Sequence, residues 1–149
     1  IQAAQIVDAA LEVLDTKISE KKIRVVKHGW EDSVLLNVDP DLMEQAMYGL
    51  LANAIDASPI SSELNIRITN YKDKIEIQIQ DNGSGLPFEP KPGNLEPGPS
   101  TKRYGTGLGI PIAFKICQKH NWKLDFKTIE GKGTKVTITA PIYPDKEIL

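Results

Sequence analysis

The amino-acid sequence predicts an α/β two-layer sandwich, a mixed and largely antiparallel sheet of about five strands with three helices packed on one face. Three observations carry that expectation. Apolar residues recur at helical spacing in three stretches, and β-branched residues alternate with polar ones in the runs between them. The chain's 149 residues, 40% hydrophobic, also supply one core and not two.

Ala3, Ile6, Val7, Ala10, Leu11, Leu14 and Ile18 repeat at three and four and predict one amphipathic helix lying over the sheet. Residues 23–27 and 34–38 are short β-rich runs on either side of Gly29 and Glu31-Asp32, which predicts two strands about a turn. Asp39 suits an N-cap and Pro40 the first helical position, so a second helix is expected from there to the Ser58-Pro59 break. Leu64, Ile66, Ile68 and then Ile75, Ile77, Ile79 alternate around Asn70-Tyr71-Lys72-Asp73, the pattern of an antiparallel pair. Between residues 86 and 104 periodicity is lost, and five of the ten prolines fall there (Pro87, Pro90, Pro92, Pro97, Pro99), so a long mobile loop is expected. Ile110, Ile112, Ala113, Ile116 and Cys117 predict a third helix ending near His120, with Pro111 tolerated in its first turn. Trp122, Leu124, Phe126 and Val136, Ile138, Ala140 close the chain as a hairpin about Gly131 and Gly133, leaving a peripheral tail from Pro141. With helices on one face only, the other face is expected to meet solvent or a partner.

Composition bounds the chemistry. Eighteen basic residues against twenty acidic ones leave a formal charge of −2, so no broad basic surface invites nucleic acid or anionic lipid, and any phosphate site is local. One cysteine, Cys117, excludes an internal disulfide and a cysteine-rich zinc centre, and a reducing, cytoplasmic setting fits. Gln2, Gln5, Asp8, Glu12 and Asp15 interrupt the first eighteen residues, which are therefore expected to be neither signal peptide nor membrane span. The chain opens at Ile1 inside a helical pattern, as a piece of something longer would.

Two glycine clusters and an asparagine carry the functional signal. Asp81-Asn82-Gly83-Ser84-Gly85 follows a strand, so the Asp81 carboxylate can point into a cavity walled by bare backbone. The exocyclic amine of adenine donates to a carboxylate, whereas guanine sets an acceptor oxygen there, so ATP is expected over GTP. A plain surface turn is the competing reading, since Asp-Asn-Gly is common in turns. Gly105-Thr106-Gly107-Leu108-Gly109 opens a helix, where exposed amides favour phosphate, with Thr106, Lys102 and Arg103 close by. An ordinary solvated cation pair competes with that role for the last two. A dinucleotide fingerprint fails here because polar residues 100–104 replace the strand it needs, and the third glycine is wrongly spaced. Asn53, at the border of the second helix's apolar stripe, offers an amide oxygen to a magnesium ion bridging phosphates; a helix residue bonded to backbone is the alternative. His28 and His120 lack partners at metal-ligand spacing, and Cys117 reads as a small buried side chain. Pro87-Phe88-Glu89-Pro90 fits a PxxP pattern, but its place between the glycine clusters favours a lid.

In this order the motifs resemble the catalytic ATP-binding domain of two-component sensor histidine kinases, in the superfamily that includes gyrase, the Hsp90 chaperones and MutL. Leu50-Leu51-Ala52-Asn53-Ala54-Ile55 resembles its asparagine box, the two clusters its glycine boxes, and Gly131-Lys132-Gly133-Thr134 its final glycine motif, across nearly the whole chain. The resemblance implies a Bergerat ATP-binding fold, Mg-ATP as ligand, and Asn53 as the magnesium ligand. It also implies that Asp81 reads adenine, that Thr134 supports that carboxylate through water or its hydroxyl, and that residues 86–104 form the ATP lid, with Phe88 as the lid phenylalanine in an unusual position. Asn53 and Lys102 are its candidate catalytic residues. Its candidate nucleotide contacts are Asn53, Asp56, Asp81, Gly83, Gly85, Leu86, Thr101, Lys102, Arg103, Tyr104, Gly105, Thr106, Gly107, Leu108, Gly109 and Thr134. Residues 1–149 are then one catalytic domain that lacks the dimerisation and phosphoacceptor domain.

One position departs from the pattern. Gly49 stands where gyrase-like and chaperone ATPases carry a water-activating glutamate and many kinases a polar residue. Glu44 cannot replace it, because nine residues of helix carry it about 13 Å from Asn53. Slow ATP hydrolysis and transfer to a histidine outside this chain are therefore expected, the partners being that dimerisation domain and a response regulator. An anti-sigma-type serine kinase, a gyrase-like ATPase and a non-catalytic nucleotide-binding module are the alternatives.

Overall fold

A computed structural model of the chain describes residues 2–32, 35–83, 109–129 and 132–142. The lid segment 86–104 lies outside them. The elements in order are α1 (Ala3–Val13), α2 (Asp15–Glu20), β1 (Arg24–His28), a 3-10 turn (Trp30–Asp32), α3 (Pro40–Ala57), β2 (Glu63–Asn70), β3 (Lys74–Gln80), α4 (Gly109–Lys119), β4 (Lys123–Ile129) and β5 (Gly133–Pro141). The five strands form one sheet in the order β1-β2-β3-β5-β4. β1 pairs in parallel with β2, and β2/β3, β3/β5 and β4/β5 are antiparallel. A parallel pair needs a crossover, and α3 supplies it.

Alternation sets the two faces. Ile66, Ile79, Val136 and Phe126 lie in one row across four strands, with Ile68, Ile77, Ile138 and Leu124 in the next, all buried beneath the helices. The opposite rows hold Arg67, Gln78, Thr137 and Asp125, then Asn65, Gln80, Lys135 and Lys127, half-buried or exposed. That face is polar. In the helical layer α3 lies between α1 and α4, and Met47, Leu50, Leu51 and Ile55 are fully buried along it.

The Asp39 carboxylate caps α3 by accepting from the amides of Asp41 (3.1 Å) and Leu42 (3.2 Å), with Pro40 in the first turn. His120, just past α4, reaches the same point. Its Nε2 accepts the Asp39 N–H at 3.1 Å, which leaves Nδ1 to donate to the Ile116 carbonyl at 2.9 Å. Burial pushes the Cys117 thiol up to about 12, so it is a packed side chain and not a nucleophile.

Two expectations are corrected. The first helix is broken at Leu14, whose backbone (φ −91°, ψ 4°) leaves the helical region although its side chain is buried. Beyond the break α2 buries no residue of its own and turns its lysines onto α3: Lys17 pairs with Asp56 at 3.5 Å. Lys21 Nζ donates to the carbonyls of Ile55 (2.9 Å), Asp56 (3.0 Å) and Ser58 (2.8 Å). These carbonyls lie in the last turn and C-cap of α3, at the negative end of its dipole, and Ile55 O also accepts the Ser58 amide at 3.1 Å. Lys21→Met is therefore expected to lower the unfolding free energy by about 2 kcal/mol, read from the urea midpoint, because charge-assisted bonds to half-buried acceptors are lost together.

Within the expected second strand, the described residues 35–38 do not form one. Leu35 makes a single bridge to Gln2, Leu36 is buried and Val38 half-buried in the core, and among the described residues no further strand pairs beside β1. Leu36 and Val38 pack against the core while Leu35 is exposed, so these side chains do not extend the ladder. The end of β1 is fastened differently. Asp8 on α1 accepts from Lys27 Nζ at 2.8 Å and from Trp30 Nε1 at 3.0 Å, and the same Nζ lies 5.4 Å from the Trp30 ring centroid.

Candidate functional site

Asp81 is the residue after β3, and its backbone continues the pairing with β5 through Asp81 N–H to Thr134 O at 3.0 Å. That bond turns its side chain inward, where it is 3% exposed. One carboxylate oxygen, Oδ1, accepts the amides of Gly83 (2.9 Å) and Thr134 (3.2 Å). Among the described residues nothing bonds Oδ2. Burial raises the Asp81 pKa above its ordinary 3.8, and the bonds from Gly83 and Thr134 act in the opposite direction.

Two glycines make this geometry possible. A Cβ on Gly83 would strike the Ala57 carbonyl and crowd Asp81 Oδ1, so the loop can pass over the end of α3 only as glycine. Gly133 has φ +102°, and a Cβ there would strike the Asp81 carbonyl. Thr134 meets the Asp81 carboxylate through its main-chain N–H, whereas the expectation was contact through water or its hydroxyl. Gly133 and Ala57 were not among the expected site residues. Their signals were the glycine pair around Lys132 and the four-residue step from Asn53 to Ala57.

Asn53 and Asp81 face one cavity of about 20 Å³, with Ala57, Ile110, Phe126 and Thr134 in its wall. That is room for about one water, so a purine enters only if the wall opens. No hydrogen bond engages the Asn53 side chain among the described residues, and it lies against Gly109, the first residue of α4. Asp56, one turn further along α3, pairs instead with Lys17 on the side of α2. Among the described residues no group of three His, Cys, Asp or Glu could hold a metal. Ser84, Gly85, Leu86, Phe88, Thr101, Lys102, Arg103, Tyr104, Gly105, Thr106, Gly107 and Leu108 lie outside the described residues.

A five-stranded mixed sheet beneath packed helices, with a buried strand-end aspartate and a helix asparagine lining one cavity, defines the Bergerat class of ATP-binding domain. Residues 38–144 match the family of histidine kinase-, DNA gyrase B- and HSP90-like ATPases, and the chain belongs to that family. It is similar to Sporulation kinase C of Bacillus subtilis, 29% identical over 145 residues, which cover 97% of this chain and 34% of that one. It is also similar to the signal transduction histidine-protein kinase AtoS of Escherichia coli, 30% identical over 110 residues, 73% of this chain and 18% of that protein. The chain thus spans about a third or less of these relatives. Among solved structures it resembles the catalytic domain of histidine kinase ThkA, with TM-score 0.79 and 23% identity, covering 98% and 96% of the two chains. The mycobacterial sensor histidine kinase MprB gives TM-score 0.72 and 21% identity, with 95% of each chain covered. At these identities the structures show the shared fold. ATP binding is the general role that the family match supports. No helix among the described residues is long and apolar enough to cross a membrane.

Proposed function

We propose that the domain binds Mg-ATP and donates the γ-phosphoryl to a histidine on a separate dimerisation domain of the same kinase, from which a response-regulator aspartate receives it. The observation that carries this reading is Asp81, buried, held by two amides through one oxygen and, among the described residues, unbonded through the other. In the proposed complex Oδ2 accepts the adenine amine, and the water-sized cavity widens to admit the ring.

Asn53 fits a magnesium ligand because its amide is unengaged among the described residues and supplies the oxygen a hard cation requires. Other oxygens would come from phosphate and water, since no acidic cluster stands beside it among the described residues. Bound there, magnesium would neutralise charge on the phosphates. Gly49 offers no base. A neutral imidazole needs none, because its nitrogen lone pair forms the new P–N bond as the bond from the γ-phosphorus to the ADP oxygen breaks.

The direct test supplies a histidine-bearing helical domain in trans with γ-labelled ATP. Label on that histidine, with slow release of free phosphate, is the expected result. Rapid hydrolysis without transfer would favour a gyrase-like ATPase, and neither activity would favour a nucleotide-holding module.

The same reading predicts a pH dependence. Burial raises the Asp81 pKa, so protonation begins at a higher pH than for an exposed aspartate and removes the acceptor for the purine amine. Adenosine, which has no phosphate to titrate, is expected to bind progressively more weakly as pH falls towards the ordinary aspartate range. Stability responds with the opposite sign at this group. The native carboxyl holds its proton more tightly than the unfolded one, so its destabilising contribution is present above the native pKa and is relieved on acidification. Calorimetric titrations with adenosine over that fall in pH check it, and a flat affinity profile would remove Asp81 from the purine contact.

A further inference from the structure

Read from the sequence, Gly49 is a missing side chain; in the structure there is no free space for one. A Cβ on Gly49 would lie 3.2 Å from both the Cα and the carbonyl oxygen of Gly109, and a Cβ on Gly109 would lie 3.3 Å from the Gly49 carbonyl. The backbones of α3 and α4 therefore touch at this pair, one helical turn before Asn53. The same Cβ on Gly109 would lie 3.6 Å from Asn53 Nδ2.

At its other end α4 is fastened by the bond between His120 Nε2 and the Asp39 N–H at the α3 N-cap. A helix held at its C-terminal end answers a new side chain at its N-terminal end by tilting, which draws its first residues away from Asn53. Asp81 is set by β3, β5 and the Gly83 loop, and its hydrogen-bond partners Gly83 and Thr134 do not belong to α4.

We propose that Gly49 is a positioning residue for the phosphate end of the nucleotide, a backbone-only joint that seats the start of α4 against Asn53. The inference rests on the proposed reading, in which adenine lies at Asp81 and the phosphates lie between Asn53 and the α4 N-terminus. It assigns to glycine a role that a polar side chain at this position would destroy. A methyl group requires the contact to give by a few tenths of an ångström, while alanine raises helix propensity and so spares folding.

The test compares wild type, Gly49→Ala and Gly49→Asn in titrations with Mg-ATP and, separately, with adenosine. Gly49→Ala is expected to weaken Mg-ATP about tenfold, the scale of a sub-ångström misplacement of binding groups. Gly49→Asn should weaken it further, and adenosine affinity should fall much less in both, because of the residues lining the Asp81 cavity only Ile110 belongs to α4. Three results would overturn the proposal: undiminished Mg-ATP affinity in Gly49→Ala, equal loss for both ligands, or faster phosphoryl transfer in Gly49→Asn. The last would mark the position as a lost catalytic side chain. Should Gly49→Asn fail to fold, Gly49→Ala decides alone. The titrations need no acceptor domain, so an absence of histidine phosphorylation counts against the kinase reading and not against the joint.

Discussion

Asp81→Asn is expected to weaken ATP binding on the order of 100-fold, the range for losing a hydrogen bond to a charged partner in a desolvated site, while the fold survives. The substitution keeps an oxygen at Oδ1, so the amides of Gly83 and Thr134 retain their acceptor and hold the side chain in place. The atom turned to the cavity then becomes an NH2 donor facing the purine amine, donor against donor. Loss of charge also removes the burial penalty that raises the Asp81 pKa, so the thermal midpoint should not fall. Guanine sets an acceptor at the same point, so the preference for ATP over GTP should narrow in this variant. Calorimetry with both nucleotides alongside a melting curve separates the cases. Unchanged ATP affinity would place adenine elsewhere, and a lowered melting point would show that Asp81 is structural first.

What could be read from sequence, and what could not, divides by the range of the interaction. Alternation in Leu64, Ile66, Ile68 and Ile75, Ile77, Ile79 gave away both strands and their pairing, because one buried face forces a period of two. Asp39 and Pro40 announced the start of α3 for an equally local reason, the cap geometry itself. Leu36 and Val38 misled because leucine and β-branched side chains suit a strand and a core-packed segment alike, and only the neighbours decide. The break at Leu14 was hidden for a related reason. The apolar stripe runs on to Ile18, while the bend is explained by where Lys17 and Lys21 reach, more than thirty residues away in the chain.

The candidate site shows the same division. Asp81 and Asn53 could be singled out by residue type and local motif, and they do line one cavity. That Asp81 is held through Thr134 is a contact across 53 residues, for which only the glycines before β5 gave a hint. Gly49 illustrates the limit more sharply. Its absence of a side chain was visible at once, yet its contact with the α4 backbone depends on how two helices cross, which no local pattern states.

Asn53→Ala is expected to lower phosphoryl transfer in the presence of magnesium by on the order of 100- to 1000-fold, the scale for removing one preorganised polar group from a reacting centre. Nucleotide binding without metal should change little. The reason lies in where Asn53 sits. It is on the middle turn of the cavity wall, beside the first residue of α4, whereas the purine-facing carboxylate is fixed by strands. Truncation to alanine raises helix propensity and leaves no buried partner unpaired among the described residues, so loss of activity would not reflect unfolding. Comparing ATP titrations with and without magnesium against single-turnover transfer isolates the metal-dependent part. If magnesium still tightens ATP binding in Asn53→Ala to the wild-type degree, the metal is held by phosphate and water alone. Asn53 would then be left as a contact to the phosphates or to the α4 N-terminus, and the transfer rate alone would say which, since only a phosphate contact changes it directly.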